Sequence, residues 1–176
     1  MKSNIALIGF MGTGKTAVGE VLAKRLNRQL FEVDEVIKKT AGKTISQIFS
    51  NDGEIVFREL EIAAIKKAAA MEKQIIACGG GVMLNMINID RLRIKGVVIN
   101  LTVSPEIILK RIAHNKDNRP LINVNWPPER IKELMKFRKP FYDRAADITV
   151  NTLKLTVDAA ADEIIDRLKN YEGFNF

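Results

Sequence analysis

Eight residues near the start of the chain, residues 9–16, follow the pattern G-x-x-x-x-G-K-[ST]. In this pattern the glycines let backbone N–H groups turn inward around phosphate oxygens. The lysine reaches the β- and γ-phosphates, and the hydroxyl of the last residue binds Mg²⁺. An apolar run, Asn4–Ile8, precedes the loop, and Val18, Leu22 and Leu26 follow it at helical spacing. A helix in that place directs its positive N-terminal end at the same anion. We therefore predict that the chain binds a nucleotide.

Short apolar runs alternate with amphipathic segments along the chain, which is typical of β-α units and a parallel sheet. The predicted strands are residues 4–8, 29–33, 74–78, 97–101 and 148–150. The first, third and fourth of these runs are almost wholly apolar, as central strands buried on both faces are. Helices are predicted after Lys15, from Thr44, over residues 54–71, 105–113 and 128–135, and from Thr156.

Composition limits the class of protein. The 176 residues suit one domain, residues 1–176, whose core is large enough to need no disulfide. The single cysteine, Cys78, fits a reducing cytoplasm. No stretch approaches the roughly 20 apolar residues of a membrane span, so no membrane partner is expected. The net charge of +7 favours anionic partners. Without a nucleic-acid-binding motif, we expect ATP and an acidic substrate rather than nucleic acid, and a monomeric protein.

Two acidic residues, Glu32 and Asp34, close the second predicted strand. Alternation along a strand places both on one side, at the carboxyl edge where open α/β sheets bind ligands. One carboxylate could bind a hydrated Mg²⁺, and the other could accept the proton of an attacking hydroxyl. The alternative is a pair of solvated carboxylates; the preceding phosphate-binding pattern favours the functional interpretation.

Three glycines, Gly79, Gly80 and Gly81, follow the third predicted strand. They cost backbone entropy and contribute no side-chain packing, so a requirement for bare backbone is expected there. Close approach of a ligand is the functional explanation, and a flexible turn is the alternative.

Three arginines are candidates for binding anions. Arg58 lies three residues before Glu61 on a predicted helix, where the carboxylate could hold the arginine ready for an acidic ligand. Without a cleft beside it, such a pair is an ordinary surface salt bridge that contributes little to stability. The long polar loop over residues 114–125 is either a disordered connection or an active-site lid. Arg119 in this loop could stabilise charge on a transferring phosphoryl group. For Arg119 and for Arg138, a solvated side chain is the alternative.

Taken together, these motifs resemble the shikimate kinase family, which has the nucleoside-monophosphate-kinase-like P-loop fold. The resemblance covers nearly the whole chain. It rests on the phosphate loop, Asp34, Phe57-Arg58 with Glu61, the glycine run, Arg119-Pro120-Leu121, and Arg138 with Tyr142. It implies a three-layer α/β fold, a five-stranded parallel sheet flanked by helices, with a substrate-binding helical segment near residues 35–61 and a mobile lid. It also implies ATP-dependent phosphorylation of the shikimate 3-hydroxyl, a step toward chorismate and the aromatic amino acids.

The resemblance also implies roles for individual residues. Lys15, Asp34 and Arg119 would be catalytic. ATP would be bound by Gly12, Thr13, Gly14, Lys15, Thr16, Ala17, Arg111 and Arg119. Shikimate would be bound by Asp34, Arg58, Gly79, Gly80, Gly81 and Arg138. Thr16 and Glu32 would hold Mg²⁺. The family usually has aspartate where this chain has Glu32, and we expect Glu32 to reach the metal through water.

Two other functions fit part of the pattern. Another small-molecule kinase of this fold, such as a gluconate or nucleoside-monophosphate kinase, would share the phosphate loop. It would lack a reason for two arginines and a glycine run directed at a carboxylated ring. A non-enzymatic nucleotide-binding regulator could keep Lys15 and Thr16 but would not need Asp34 and Arg138. Direct in-line transfer, driven by positioning and electrostatics, is the mechanism that the pattern favours.

Overall fold

The computed structural model describes residues 1–114 and 127–176 of the chain. The strands in this part are β1 (Asn4–Ile8), β2 (Leu30–Glu32), β3 (Ile75–Ala77), β4 (Gly96–Thr102) and β5 (Ile148–Asn151). The helices are α1 (Lys15–Leu26), α2 (Val33–Ala41), α3 (Ile45–Gln47), α4 (Gly53–Ala70), α5 (Met86–Lys95), α6 (Pro105–His114), α7 (Pro128–Ala145) and α8 (Val157–Lys169). A π-helical turn, Ile48–Asp52, joins α3 to α4, and a 3₁₀ turn, Val82–Leu84, precedes α5.

The five strands form one parallel sheet in the order β2-β3-β1-β4-β5. At its centre, Leu7 of β1 pairs with Ala77 of β3 on one side and with Ile99 of β4 on the other. The chain leaves β1 toward β2 and leaves β3 toward β4, so these neighbouring strands send their connections in opposite directions. Open α/β sheets bind ligands at such a switch point, outside the carboxyl ends of the strands. The predicted five-stranded parallel sheet is confirmed.

Helices cover both faces of the sheet, and β1 contributes to both cores. Its residues Ile5 and Leu7 pack with apolar side chains of α1 and α8. The alternate residues, Ala6 and Ile8, pack on the opposite face with apolar side chains of α4, α5 and α7. All five residues of β1 are buried, as the apolar run predicted for a central strand. The result is the expected three-layer arrangement.

The second strand is shorter than predicted, and this changes the position of Asp34. β2 ends at Glu32, and Val33 begins α2, so Asp34 lies in the first turn of a helix. The prediction that Glu32 and Asp34 share one side of a strand is therefore wrong. Acidic residues in a first turn are stabilised by the helix dipole, which favours the helix at this point.

The helix that begins at Pro128 is longer than predicted. α7 continues past Met135 and through Pro140 to Ala145, although a proline inside a helix removes one backbone hydrogen bond. Arg138 was predicted to follow this helix; it lies within α7, one turn before Tyr142. Tertiary contacts of these two side chains, described below, stabilise the extension.

Some predictions lie outside the described residues. The predicted lid begins at His114, the last residue of α6, and its remaining residues are not described; Arg119 is among them. The predicted helical segment 35–61 corresponds to most of α2, to α3 and the π-helical turn, and to the first half of α4. That the chain is a single domain stays a prediction. In the two described ranges, no helix has the length and apolar character needed to cross a membrane.

Candidate active site

A cavity of about 650 Å³ opens at the carboxyl ends of β1 and β3. The phosphate loop, the first turns of α1 and α2, one face of α4, the glycine run and α7 together form its wall. The wall includes every predicted site residue that the structure describes: Gly12, Thr13, Gly14, Lys15, Thr16, Ala17, Glu32, Asp34, Arg58, Gly79, Gly80, Gly81, Arg111 and Arg138. Residues that the sequence spreads over more than 120 positions thus meet around one space. Arg119 lies outside the described residues.

The phosphate loop needs glycine for two physical reasons. Gly9 has φ +145°, and a Cβ atom there would lie 2.4 Å from the carbonyl oxygen of Leu101. Gly14 has φ +96°, in the left-handed region, and is the residue immediately before α1. The Thr13 hydroxyl donates a 2.8 Å hydrogen bond to the Phe10 carbonyl, which closes the loop on itself. The N-terminal end of α1 is thereby presented to the cavity, as an anion-binding site requires.

Lys15 and Thr16 begin α1 on the cavity wall. The Lys15 ammonium donates to the carbonyl oxygens of Gly9 and Phe10, at 2.9 and 3.0 Å. The Thr16 hydroxyl donates to Oε2 of Glu32 at 3.1 Å. A hydroxyl that donates its proton in this way keeps its lone pairs for a cation. Thr16 and Glu32 therefore bring together hard oxygen atoms of the kind that Mg²⁺ prefers.

Two carboxylates flank Gly79. A Cβ atom on Gly79 would lie 2.9 Å from Oδ1 of Asp34 and 3.3 Å from Oε1 of Glu61, so glycine makes room for both. Burial raises the pKa of Asp34, although the positive charges of Lys15 and Lys38 oppose the shift. A carboxylate with raised proton affinity is suited to accept a proton from a hydroxyl group. The residue that was expected at a strand end thus reaches the cavity from a helix.

Arg58 is fixed by two acidic residues of its own helix. Its Nη1 donates to Oε2 of Glu61 at 3.0 Å, while its Nε and Nη2 both donate to Oε1 of Glu54. Glu61 is only 1% exposed, and burial raises its pKa against the opposing effect of Arg58. A Cβ atom on Gly81 would lie 2.7 Å from Nη1 of Arg58, which explains the third glycine. The predicted pair of Arg58 with Glu61 forms; Glu54 was not predicted.

Arg138 approaches the same cavity from α7. It is 8% exposed, and its Nη1 donates to the Gly80 carbonyl at 3.2 Å. Its guanidinium lies 5.8 Å from the centre of the Phe10 ring in the phosphate loop. Burial lowers the pKa of Arg138, but an arginine remains charged at physiological pH. Arg58, which is partly buried, and Arg138, which is buried, therefore both lie against the glycine run, at Gly81 and Gly80 respectively.

Arg111, which was expected to bind ATP, lies on another part of the wall, together with Thr152. Arg111 donates from Nη1 to the Gly12 carbonyl at 2.7 Å, so it contacts the phosphate loop directly. Thr152 is buried, and its hydroxyl donates to the Thr102 carbonyl at 3.1 Å. Leu155 also lines this part of the cavity and was not predicted.

Sequence reasoning also missed an aromatic pair on the wall. The rings of Phe49 and Phe57 lie 4.6 Å apart between centroids, and both residues line the cavity together with Ile45. These three residues provide an apolar surface beside the charged groups, as ligand pockets usually do. Ile45 and Phe49 are at helical spacing, a pattern that more often indicates a core face than a binding site.

Known proteins provide an independent comparison. A sequence model of the family described as shikimate kinase matches residues 11–169. A shikimate kinase of Thermoanaerobacter pseudethanolicus is 49% identical over 162 residues, which cover 92% of this chain and 94% of that protein. A shikimate kinase of Thermodesulfovibrio yellowstonii is 47% identical over 169 residues, covering 96% of this chain and 95% of the other.

The solved structures to which this chain is similar include shikimate kinases as well. The shikimate kinase of Acinetobacter baumannii in complex with shikimate has a TM-score of 0.92 and 32% identity, with 98% of this chain and 96% of that one covered. The shikimate kinase of Aquifex aeolicus has a TM-score of 0.82 and 33% identity, with 95% and 96% covered.

Proposed function

Because the chain belongs to the shikimate kinase family, we propose that its cavity transfers the γ-phosphoryl group of ATP to the 3-hydroxyl of shikimate. The products are shikimate 3-phosphate and ADP. One observation supports this assignment to the cavity more than any other: Gly80 of the glycine run lies against the phosphate loop and also contacts Arg138, the arginine proposed to bind the carboxylate. A Cβ atom on Gly80 would lie 3.5 Å from the amide nitrogen of Met11, while the Gly80 carbonyl accepts from Arg138.

The acceptor would be held by its carboxylate. Arg58 and Arg138 offer guanidinium groups, which bind carboxylates through two parallel hydrogen bonds. Both are largely buried, so their charges act in a medium less polarisable than water and attract an anion strongly. Bare backbone at Gly79–Gly81 would lie against the ring of the substrate, which is a further reason for three glycines.

Asp34 would hold the ring hydroxyl groups and accept the proton of the attacking one. Its place beside Gly79 in the cavity and its raised pKa support this role, since a raised proton affinity favours proton transfer. Lys15 would move from the loop carbonyls onto the β- and γ-phosphate oxygens of ATP, where negative charge spreads during transfer. Arg119, proposed from its place in the sequence alone, would add a second positive charge to the transferring group.

Mg²⁺ is the second cofactor that we propose for this site. When bound with ATP, it neutralises charge on the phosphate groups. Thr16 and Glu32 are the residues that would hold it, Thr16 by its hydroxyl and Glu32 through water. The adenine would lie near Arg111 and Thr152. We further propose that the protein is a cytoplasmic monomer, which light scattering on the purified protein can check for the oligomeric state.

The assay that tests the function measures ADP release from ATP and Mg²⁺ with different acceptors. Shikimate, gluconate and nucleoside monophosphates are compared with a reaction that contains no acceptor. We expect ADP release that depends on shikimate, together with formation of a phosphorylated acid. ATP turnover that is the same with and without shikimate would contradict the proposal. Faster turnover with gluconate or with a nucleoside monophosphate would identify the protein as another small-molecule kinase of this fold.

A further inference from the structure

One carbonyl oxygen in the glycine run accepts two hydrogen bonds. The Gly80 oxygen accepts from the Tyr142 hydroxyl at 2.6 Å and from Nη1 of Arg138 at 3.2 Å. The two donors lie one turn apart on α7, so both side chains extend from the same face of the helix. Tyr142 is 5% exposed, and burial raises its pKa, so the hydroxyl keeps its proton and can donate.

In the proposed function, Arg138 also binds the carboxylate of the substrate, in addition to donating to Gly80. Its Nε is buried and has no hydrogen-bond acceptor within the described ranges, so the guanidinium is not satisfied by Gly80 alone. A carboxylate accepts from guanidinium through a fork of two adjacent N–H groups. When Arg138 is drawn onto such an anion, its 3.2 Å bond to Gly80 can lengthen or break. If Tyr142 did not donate as well, the carbonyl of the half-buried Gly80 would then be left without a donor, and shikimate binding would be weakened by that loss.

We propose that Tyr142 is a positioning residue of the phosphoryl-transfer site, whose hydroxyl holds the Gly80 carbonyl so that Arg138 is available to the substrate carboxylate. This inference rests on the proposed function, because it requires an acidic acceptor at Arg138. The 2.6 Å bond is the shorter of the two on Gly80, and it does not involve a group that the substrate needs. It therefore keeps the carbonyl satisfied before and after the substrate binds.

The same bond sets the position of the acceptor relative to ATP. Gly80 lies against the phosphate loop, with its Cβ position 3.5 Å from the Met11 nitrogen and 3.9 Å from the Gly9 oxygen. A shift of the glycine run would move the acceptor away from the phosphate groups. Phosphoryl transfer depends on alignment, so we expect a loss in turnover as well as in shikimate affinity.

The test replaces Tyr142 by phenylalanine, which keeps the ring and removes only the hydroxyl. The matched control is Tyr171→Phe, at the chain's other tyrosine, which lies beyond α8 with Lys2 over its ring. Calorimetry measures the binding of shikimate and, separately, of ADP. We expect Tyr142→Phe to weaken shikimate binding about tenfold, or about 1.4 kcal/mol, with ADP affinity within twofold of wild type. Tyr171→Phe should bind both ligands as wild type does.

Steady-state kinetics provide the second readout. In Tyr142→Phe the KM for shikimate should rise and kcat should fall, while the KM for ATP stays unchanged. A change in thermal stability alone, with shikimate affinity within twofold of wild type, would overturn the proposal. Equal losses of shikimate and ADP affinity would also overturn it, because they indicate general loosening rather than positioning.

Two further arms separate this proposal from the proposed function. Wild-type protein that does not bind shikimate, or Arg138→Lys that binds it normally, would contradict the assignment of the carboxylate site. Weakened binding in Arg138→Lys with normal binding in Tyr142→Phe would overturn the role of Tyr142 alone.

If Tyr142→Phe does not fold, a less disruptive variant gives the answer. The Tyr171→Phe chain labelled with 3-fluorotyrosine carries one fluorine, at Tyr142. Its fluorine resonance should shift when shikimate binds, because the second donor on Gly80 is then drawn away, and should stay in place when ADP binds. A resonance that does not respond to shikimate would overturn the proposal.

Discussion

Arg58 donates a 3.0 Å hydrogen bond from Nη1 to Oε2 of Glu61, a carboxylate that is almost wholly buried. Glu54 accepts from the other side of the same guanidinium. The second oxygen of Glu61, Oε1, has no hydrogen-bond partner in the part of the chain that the structure describes. Two acidic residues thus fix the arginine in place before an anion binds, which reduces the entropy that binding must remove.

We expect lysine to be a poor replacement for Arg58. The lysine ammonium is a point charge without the fork that matches a carboxylate, and it lacks the three separate nitrogens through which Arg58 donates to Glu54 and Glu61. Arg58→Lys should weaken shikimate binding about tenfold or more, and Glu61→Ala should weaken it through a misplaced Arg58. Calorimetry measures both. Arg167→Lys, which alters an arginine paired with Glu163 on α8, is the matched control. Unchanged shikimate affinity in both site variants would rule out Arg58, held by Glu61, as a carboxylate-binding residue.

The burial of Glu61 also predicts a pH dependence of stability. Its folded-state pKa is raised by desolvation above the unfolded value. The folded state therefore binds the proton of the Glu61 carboxyl more tightly than the unfolded state does. The resulting stabilisation of the folded state is fully present below the unfolded pKa, and it is lost as the pH rises through the folded pKa. Glutamine does not titrate. The melting temperature of Glu61→Gln minus that of wild type should therefore increase from about pH 4 to about pH 8. A difference that does not change with pH would contradict this.

Lys15 is expected to act on the transferring phosphoryl group. In the structure its ammonium is held by two carbonyl oxygens of the phosphate loop, at 2.9 and 3.0 Å. Lys15→Met keeps most of the side-chain volume and removes the charge. Turnover should fall by about 10²-fold or more, the scale for loss of a donor to the transition state, while the melting temperature changes little. Lys24→Met, at an exposed lysine of α1, should behave as wild type. Turnover of Lys15→Met within a few-fold of wild type would exclude this role.

Asp34 is expected to contribute to transfer rather than to nucleotide binding. Asn is nearly isosteric with Asp and fits the same space beside Gly79, but it cannot take a proton. Asp34→Asn should therefore bind ATP as wild type does and lose about 10²–10⁴-fold in turnover, the range for a general base. The opposite result, weak ATP binding with normal turnover at saturating ATP, would place Asp34 on the nucleotide side.

Much of the fold could be predicted because its signals are local. The phosphate-loop pattern between an apolar run and a helical face indicated β1 and α1, and the fully apolar runs indicated the buried central strands. α5 also had local signals that were overlooked: Asn85 caps its start by accepting from the Ile87 amide, and Ile89 and Leu92 recur at helical spacing. The prediction without α5 was therefore wrong, although the residues that form this helix carry its signals locally.

Other features depend on contacts between distant parts of the chain. The length of α7 could not be predicted, since Pro140 argues locally for an end and the contacts with Gly80 are 58 and 62 residues away in sequence. Asp34 was placed on a strand because alternation is the simplest extension of the preceding residues. The short β2, and with it the helical position of Asp34, is apparent only in the folded chain.

Glu32 is the position at which the chain departs from the usual family sequence. Its contact with Thr16 supports the expected role, which is to act on Mg²⁺ without binding it directly. Its Oε2 accepts from the Thr16 hydroxyl at 3.1 Å, which turns the hydroxyl lone pairs away from Glu32 and leaves them for a cation. Glutamate is longer than aspartate by one carbon–carbon bond, ~1.5 Å. Mg²⁺ demands near-ideal octahedral geometry, so a direct ligand could not absorb that shift without backbone movement. A group acting through Thr16 or through water could absorb it.

We therefore expect Glu32→Asp to stay within about tenfold of wild type in turnover. Glu32→Ala should raise the Mg²⁺ concentration for half-maximal rate by about 10–100-fold, the scale for groups that orient a metal ligand. Glu35→Ala removes a nearby exposed carboxylate, paired with Lys38, and should leave the Mg²⁺ dependence unchanged. If the Mg²⁺ titration of Glu32→Ala overlays that of wild type, Thr16 and the phosphate groups suffice for the metal. Glu32 would then be a solvated carboxylate at the end of β2, and its bond to Thr16 would have no part in catalysis.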